Sequence, residues 1–174
     1  MIRPARAEDI PALRQLEVVA GEAFAHIGMA AVADDEALPT DEMLVYQRAG
    51  RAWVTTDDAD RPIAYLLALW VDGVVHIEQV SVDPVHAGHG LGAALIEHVA
   101  GWARAHGSPA LTLTTFTEVA WNGPYYQRLG FRPLTDDELT PGLRAIRAEE
   151  ATHGLDEWPR MAMRRDLPSS APAD

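Results

Sequence analysis

The 174-residue chain reads as an α+β fold built on a mixed sheet, and three stretches of sequence carry that reading. Leu91, Leu95, Val99, Trp102 and His106 recur at spacings of 4, 4, 3 and 4, which is one stripe of an amphipathic helix. Strand-like runs flank it, VVHIEQVSV before and LTLTTF after. The three make a βαβ unit whose strands, 74–82 and 111–116, lie parallel. Upstream, PIAYLLALWV is separated from VVHIEQVSV by Asp72-Gly73 alone. A two-residue Asp-Gly between such runs is a strong hairpin signal, so those strands are antiparallel neighbours.

The other elements follow in order. Residues 2–6 form a short edge strand. Asp9 caps a helix with Pro11 in its first turn, and Ile10, Leu13, Leu16, Ala20 and Phe24 give that helix a buried face. Residues 25–38 are small, acidic and weakly periodic, either a loop or the approach to a second helix beginning near Asp41. RAWVTT (51–56) is a strand, ended by the polar turn Asp57–Asp60. Asp83-Pro84 stops the strand at 74–82, and Gly107-Ser108-Pro109 stops the long helix. A short helix starts at Asn122, with Pro124 in its first turn, and stops at Gly130, the residue suited to a left-handed C′ position. The segment 141–153 suits a further helix and 158–167 a last strand. The Pro/Ser/Ala-rich end, 168–174, is expected to be disordered. No repeat or long linker divides the chain, so 1–167 is expected to be a single domain.

Composition narrows the class. A hydrophobic fraction of 48% supports a core, and no stretch approaches the roughly 20 apolar residues of a membrane span. The first residues lack a secretory apolar run, and a cytoplasmic location is expected. Without cysteine there is no disulfide framework and no protein thiolate. Acidic residues outnumber basic ones 26 to 14, for a net charge of −12, which disfavours nucleic acid as a partner. That charge either serves solubility or steers a cationic partner such as an amine. All 14 basic residues are arginine, which excludes a Schiff-base lysine and a P-loop lysine.

Gly88-His89-Gly90-Leu91-Gly92 lies between a strand end and a helix start. Such glycines are either a tight turn or a cradle of backbone N–H groups for phosphate, reinforced by the helix dipole. The P-loop lysine is missing. The spacing is G-x-G-x-G rather than the dinucleotide G-x-G-x-x-G, with Thr112 where a ribose-binding acid would stand.

The run Val80-Ser81-Val82-Asp83-Pro84-Val85-His86-Ala87-Gly88-His89-Gly90-Leu91-Gly92-Ala93-Ala94-Leu95-Ile96 resembles motif A of the GNAT superfamily of acetyl-CoA-dependent N-acetyltransferases. About 40 residues on, Asn122-Gly123-Pro124-Tyr125-Tyr126-Gln127-Arg128-Leu129-Gly130-Phe131 resembles its motif B. The resemblance spans roughly residues 2–165, with sharp motifs only in 74–131. It implies a mostly antiparallel sheet flanked by helices, with one splayed parallel pair, 74–82 and 110–116, that holds CoA. The pantetheine arm would pair with the backbone of Val80, Ser81 and Val82. One of those N–H groups would polarise the thioester carbonyl. The pyrophosphate would meet the loop from Ala87 through Gly88, His89, Gly90, Leu91 and Gly92 to Ala93. Two positions depart from the family: Ala87 replaces a usual Arg or Gln, and His89 stands where Arg or Lys is common. The first costs little if backbone does the binding; the second weakens nucleotide affinity or makes it pH-dependent.

The resemblance makes Tyr126 the acid that assists the departing thiolate, against a purely packed aromatic. Tyr125 and Leu129 already supply the apolar helix face, which turns Tyr126 elsewhere. Asn122 would cap its helix and, with Tyr125, contact CoA. For the base that relieves an ammonium of its proton, the strand offers Glu78 first and His76 second, two apart and on one face. Either is equally suited to a structural hydrogen bond. Phe116 and Trp121 flank an acceptor or close the core. His86 and His89 are three apart but lack further ligands at metal spacing, and Ser81 lacks a triad pattern.

The expected activity is therefore transfer of acetyl from acetyl-CoA to a primary amine, without metal. The acceptor is a small molecule or peptide, cationic in character, with no nucleic acid or membrane partner. Monomer and homodimer are both compatible with the sequence. Two other readings remain: a catalytically silent acyl-CoA-binding module, and a protein N-terminal acetyltransferase. Specificity is expected to lie in 25–50 and 132–157.

Overall fold

A computed structural model describes residues 1–168. The disorder expected of the tail beyond Pro168 falls outside the described residues. Seven strands form one sheet: β1 (Ile2–Pro4), β2 (Ala52–Thr56), β3 (Pro62–Val71), β4 (Val74–Val82), β5 (Ala110–Phe116), β6 (Arg132–Pro133) and β7 (Arg160–Asp166). Their spatial order is β1-β2-β3-β4-β5-β7-β6. The sheet is mostly antiparallel, and β4–β5 is the parallel pair that the βαβ pattern requires. The helices are α1 (Ile10–Gly21), α2 (Ala30–Ala33), α3 (Thr40–Arg48), α4 (Leu91–Ala105), α5 (Gly123–Arg128) and α6 (Pro141–Thr152). No helix among the described residues is long and apolar enough to cross a membrane. The chain forms two compact units, Met1–Leu69 with Gln79–His98, and Trp70–Glu78 with the chain from Val99 onward.

In the first unit the expected stripe of α1 is buried over its first half; Ala20 is half-buried, and Phe24 falls beyond the helix end at Gly21, where the chain tightens into a 3-10 stretch. Ile10, Leu13 and Leu16 are buried with Met43 of α3 against Ala52, Val54, Tyr65 and Leu67 of β2 and β3. The segment 22–39, ambiguous in sequence, contains a 3-10 stretch at Glu22–Ile27 and the single turn of α2; α3 then starts at Thr40, beside the expected Asp41.

Asp9 does not cap α1 with its side chain. Its carboxylate turns back, accepting from the Arg6 amide at 2.7 Å and from both terminal nitrogens of Arg3 at 2.7 and 3.1 Å. A forked, charge-assisted pair outcompetes a neutral cap. Burial pushes the Asp9 carboxyl up, but the Arg3 and Arg6 bonds prevail and hold it below its ordinary value.

In the second unit β5 is the central strand. It pairs with β4 at Val75–Leu111 and His76–Thr112, and with β7 along its whole length from Ala110–Asp166 to Phe116–Arg160. The hairpin residues Asp72 and Gly73 have φ of 51° and 80°, both positive as a type I′ turn requires. The Asp72 carboxylate accepts from the Gly142 amide at 2.8 Å, tying the turn to the start of α6. Ser108 links the end of α4 to the parallel pair, accepting from the Val75 amide at 2.9 Å and donating to the Ala110 carbonyl at 2.7 Å.

Replacing Asp9 by Asn removes charge from a buried pair and should cost about 2–3 kcal/mol of stability at pH 7. The Asp9 pKa lies below its ordinary 3.8, so its contribution is complete above that value and disappears as pH falls through the folded pKa. Denaturant melts should show a gap between wild type and D9N that closes in acid. Equal stability at pH 7 would contradict this.

Candidate active site

The glycine segment sits in the first unit. The Asp83 carboxylate accepts from the Val85 amide at 3.0 Å and opens a 3-10 turn over Pro84–His86. Gly88 and Gly90 then take φ of 79° and 73°, a backbone conformation that costs glycine nothing. A Cβ built at either would meet nothing within 4 Å, so open space lies directly over this backbone. The first helical bond of α4 joins the Ala94 amide to the Gly90 carbonyl at 2.9 Å. The amides of Leu91, Gly92 and Ala93 precede it and have no acceptor inside the helix. With the positive end of a 15-residue helix behind them, they form an anion-binding terminus. Ala87 and His89 are exposed. His89 Nδ1 lies 3.1 Å from the His86 carbonyl, an acceptor, so that nitrogen carries the proton.

The C-terminal half of β4 leads into this loop. Ser81 is buried and Val80 and Val82 are half-buried. Ser81 Oγ accepts from Gln79 Nε2 at 2.9 Å.

The second unit carries the remaining sequence-predicted residues. His76 is 1% exposed, with Nδ1 2.9 Å from Thr112 Oγ1 across the parallel pair. Burial lowers its pKa to about 4, against a small opposing pull from Glu150, so the ring is neutral at physiological pH. Glu78, two residues on, is exposed. The strand thus separates the two base candidates, one inside and one in reach of water.

Tyr126 is set by the way α5 ends. The Phe131 amide donates to the Tyr126 carbonyl at 3.1 Å and the Gly130 amide to the Gln127 carbonyl at 3.1 Å, with Gly130 at φ 88°. That is a Schellman ending, with Phe131 edge-on to the Tyr126 ring at 5.9 Å as its apolar contact. Tyr125 packs against the same ring at 5.4 Å. Burial first, then Tyr125, pushes the Tyr126 hydroxyl well above its ordinary value, so it holds its proton through the neutral range. Asn122 stands at the N-cap position but does not cap with its side chain. Its Oδ1 instead accepts from Thr115 Oγ1 at 3.0 Å, anchoring α5 to β5.

A polar constellation absent from the sequence reading lies across β5, β7 and α6. The Glu150 carboxylate takes Arg147 at 2.7 Å, Arg160 at 2.8 Å and the Thr114 hydroxyl. Burial raises the Glu150 carboxyl, but Arg160, Thr114 and Arg147 together hold it below its ordinary value. The Arg160 guanidinium lies 4.4 Å over the Phe116 ring, and Trp158 meets that ring edge-on. Phe116 is therefore a buried platform, whereas Trp121 is exposed. Only Arg147 and Glu150, three apart on a helix, left a local trace. Arg160 and Thr114 join them through strand pairing.

The Acetyltransferase (GNAT) family profile matches residues 13–131. Among solved structures, the ribosomal-protein-S18-alanine N-acetyltransferase of Escherichia coli aligns over 100% of this chain and 97% of its own at 17% identity, TM-score 0.68. PaiA N-acetyltransferase of Thermoplasma acidophilum, solved with coenzyme A, aligns over 95% and 98% at 12% identity, TM-score 0.72. Rv2747 of Mycobacterium tuberculosis, solved in complex with CoA, aligns over 97% and 99% at 20% identity, TM-score 0.68. These likenesses establish a shared fold.

Gly123 is the tightest point of α5. A Cβ there would lie 2.5 Å from the Thr117 carbonyl oxygen and 2.7 Å from Met161 Cε. Gly123→Ala must therefore move the helix that carries Tyr126, at a cost of about 2 kcal/mol. A thermal melt should show the loss; an unchanged melting temperature would mean that α5 yields freely.

Proposed function

The chain belongs to the GNAT acetyltransferase family, and from that membership we propose that it is an N-acetyltransferase passing the acetyl group of acetyl-CoA to a primary amine by direct attack. The observation that carries the proposal is the start of α4: three amides without helical acceptors, behind left-handed glycines whose outer side is open. This cradle needs no cationic side chain, which fits Ala87 and His89 standing where the family's usual side chains are missing. CoA bound to two of the structural neighbours supports the same assignment.

In this reading residues 1–167 act as one catalytic domain. The pyrophosphate rests on the amides from Gly88 to Ala93, and the pantetheine arm pairs with the backbone of Val80, Ser81 and Val82. A β4 amide polarises the thioester carbonyl. The neutral amine attacks the carbonyl carbon, forming the C–N bond and placing charge on oxygen. As the carbonyl re-forms, the C–S bond breaks and sulfur leaves with the electron pair as the CoA thiolate, while the nitrogen, now the amide, releases its extra proton to water. Tyr126 hydrogen-bonds that sulfur, and Asn122 and Tyr125 line its approach. A thiol of pKa about 8.5 is more acidic than a tyrosine held above its ordinary value, so full proton transfer to sulfur is uphill. The gain from Tyr126 therefore belongs at the low end of general acid effects, about 10²-fold.

Glu78 takes the ammonium proton through water. It outranks His76 because it is exposed, while a buried imidazole of pKa about 4 is a poor acceptor at neutral pH. The net charge of −12 favours a cationic acceptor, and the cytoplasm is the proposed compartment.

Thiol release from acetyl-CoA across aminoglycosides, polyamines, amino acids and short peptides tests the proposal; binding without release with any amine would leave a silent acyl-CoA module. On the best acceptor, Tyr126→Phe should lower kcat about 10²-fold with little change in the KM for acetyl-CoA. Normal kcat with a lowered melting temperature would make Tyr126 a packing residue.

A further inference from the structure

In the first unit a line of polar side chains runs from β4 into α1, and neither the cradle nor the proposed chemistry uses it. Gln79 Nε2 donates to Ser81 Oγ at 2.9 Å. Ser81 stands on β4 across from Tyr65 on β3, two residues in from the bond of the Asp83 amide to the Ile63 carbonyl, and Tyr65 has no exposed surface. Tyr65 donates to Glu17 Oε2 at 3.0 Å, and the same oxygen accepts from the Leu38 amide at 3.2 Å. The bonds from Gln79 to Ser81 and from Tyr65 to Glu17 both point toward the single charge at the end. Arg14, one turn earlier on α1, holds the Leu38 carbonyl at 3.1 Å, so α1 grips both polar groups of that residue.

Glu17 is a costly residue in this place. Burial raises its pKa; the Leu38 amide and Tyr65 pull it back down, Asp35 adds to the rise and Arg14 opposes it. A group whose folded pKa is raised favours folding only while protonated, and its contribution is lost as pH rises through the folded pKa. At neutral pH the charged carboxylate therefore lowers stability relative to a neutral isostere. A residue kept at such a cost calls for a role other than folding.

The end of the line supplies that role. The parallel register joins β4 to β5 at Val75 and His76, while β4 continues through Val82. Ser81 belongs to the continuing part, the backbone to which the pantetheine arm was assigned. We infer that Glu17 and Tyr65 are positioning residues for acetyl-CoA: the charge on Glu17 orients the Tyr65 hydroxyl, which locks Ser81 and holds the Gln79–Val82 backbone in register for the pantetheine arm. The inference rests on the acyltransferase reading and adds two residues outside both family motifs. Neither touches the reacting atoms.

Calorimetric titration of acetyl-CoA into wild type, Glu17→Gln and Tyr65→Phe, with a thermal melt of each, tests it. Losing a hydrogen bond to a charged group is worth about tenfold or more in an equilibrium constant, so both variants should bind acetyl-CoA about tenfold more weakly. In turnover the KM for acetyl-CoA should rise by a similar factor while kcat changes little. Glu17→Gln should melt no lower than wild type at pH 7.5. Wild-type affinity in both variants would overturn the positioning role while leaving the cradle intact. A lower melting temperature in Glu17→Gln alongside the affinity loss would also overturn it, because general loosening would explain both. Failure of wild type itself to bind acetyl-CoA would overturn the acyltransferase reading, and this inference with it.

Discussion

Backbone hydrogen bonding along β4 is the constraint on which the rest of the structure depends. A strand's amides and carbonyls must be satisfied, and a strand that engages its parallel neighbour over a short register must be held by other means. Here the register with β5 joins Val75 and His76, while the strand continues six residues further to Val82. Around that fact the other elements acquire reasons. Ser108 closes the start of the parallel pair from the end of α4. The Asp83 amide bonds the Ile63 carbonyl at 2.9 Å, fixing where β4 ends beside β3. The glycines that follow turn the chain into α4, and the Asp83 carboxylate sets the angle of that turn. A strand that runs past its register with the parallel neighbour, next to a helix N-terminus, can accept a ligand that is amide-like along one part and anionic along another, and CoA has both.

The charged residues inside the chain are arranged differently in the two units, and the contrast is informative. Glu150 sits among two arginines and a threonine, which hold its carboxyl below the ordinary value and make it a structural anion. Asp9, gripped by Arg3, is of the same kind. Glu17 has hydrogen-bond donors and only the weaker pull of Arg14 in place of an ion pair, and its pKa moves the other way. Structural ion pairs repair the cost of burial; Glu17 leaves part of that cost standing, as residues in functional surroundings often do. His76 resolves the same tension by staying neutral.

How much of this the sequence disclosed follows from how local each interaction is. The Asp72-Gly73 turn, the first members of the α1 and α4 stripes, the Gly130 stop and the glycine loop are each settled within a few residues and stand where the pattern put them. Phe24 and His106, the last members of the two stripes, fall past the helix ends at Gly21 and Ala105. The family motifs lie in the same local regions, and the matched profile ends at Phe131. Misreadings occurred where a distant partner outcompeted a nearby one. Asp9 had its own helix to cap and turned to Arg3; Asn122 had α5 to cap and turned to Thr115. The Glu150 cluster and the line from Gln79 to Glu17 depend on strand pairing and helix packing, which leave no short-range signature. β6, two residues paired to β7 at Arg132–Arg164 and Pro133–Met163, is too short to have a period. Period-two alternation puts His76 and Glu78 on one face of β4, and what packs over that face buries His76 and leaves Glu78 exposed.

The central claim is that the β4 backbone and the first amides of α4 together hold acetyl-CoA. Amide hydrogen exchange with and without acetyl-CoA, resolved to single residues, measures that claim directly. The account predicts slower exchange on binding at Val80–Val82 and at Leu91, Gly92 and Ala93. It also predicts little change along β5 and β7, whose amides are already paired. Unaltered exchange at the β4 and α4 amides at saturating acetyl-CoA, or slowing confined to other segments, would contradict it.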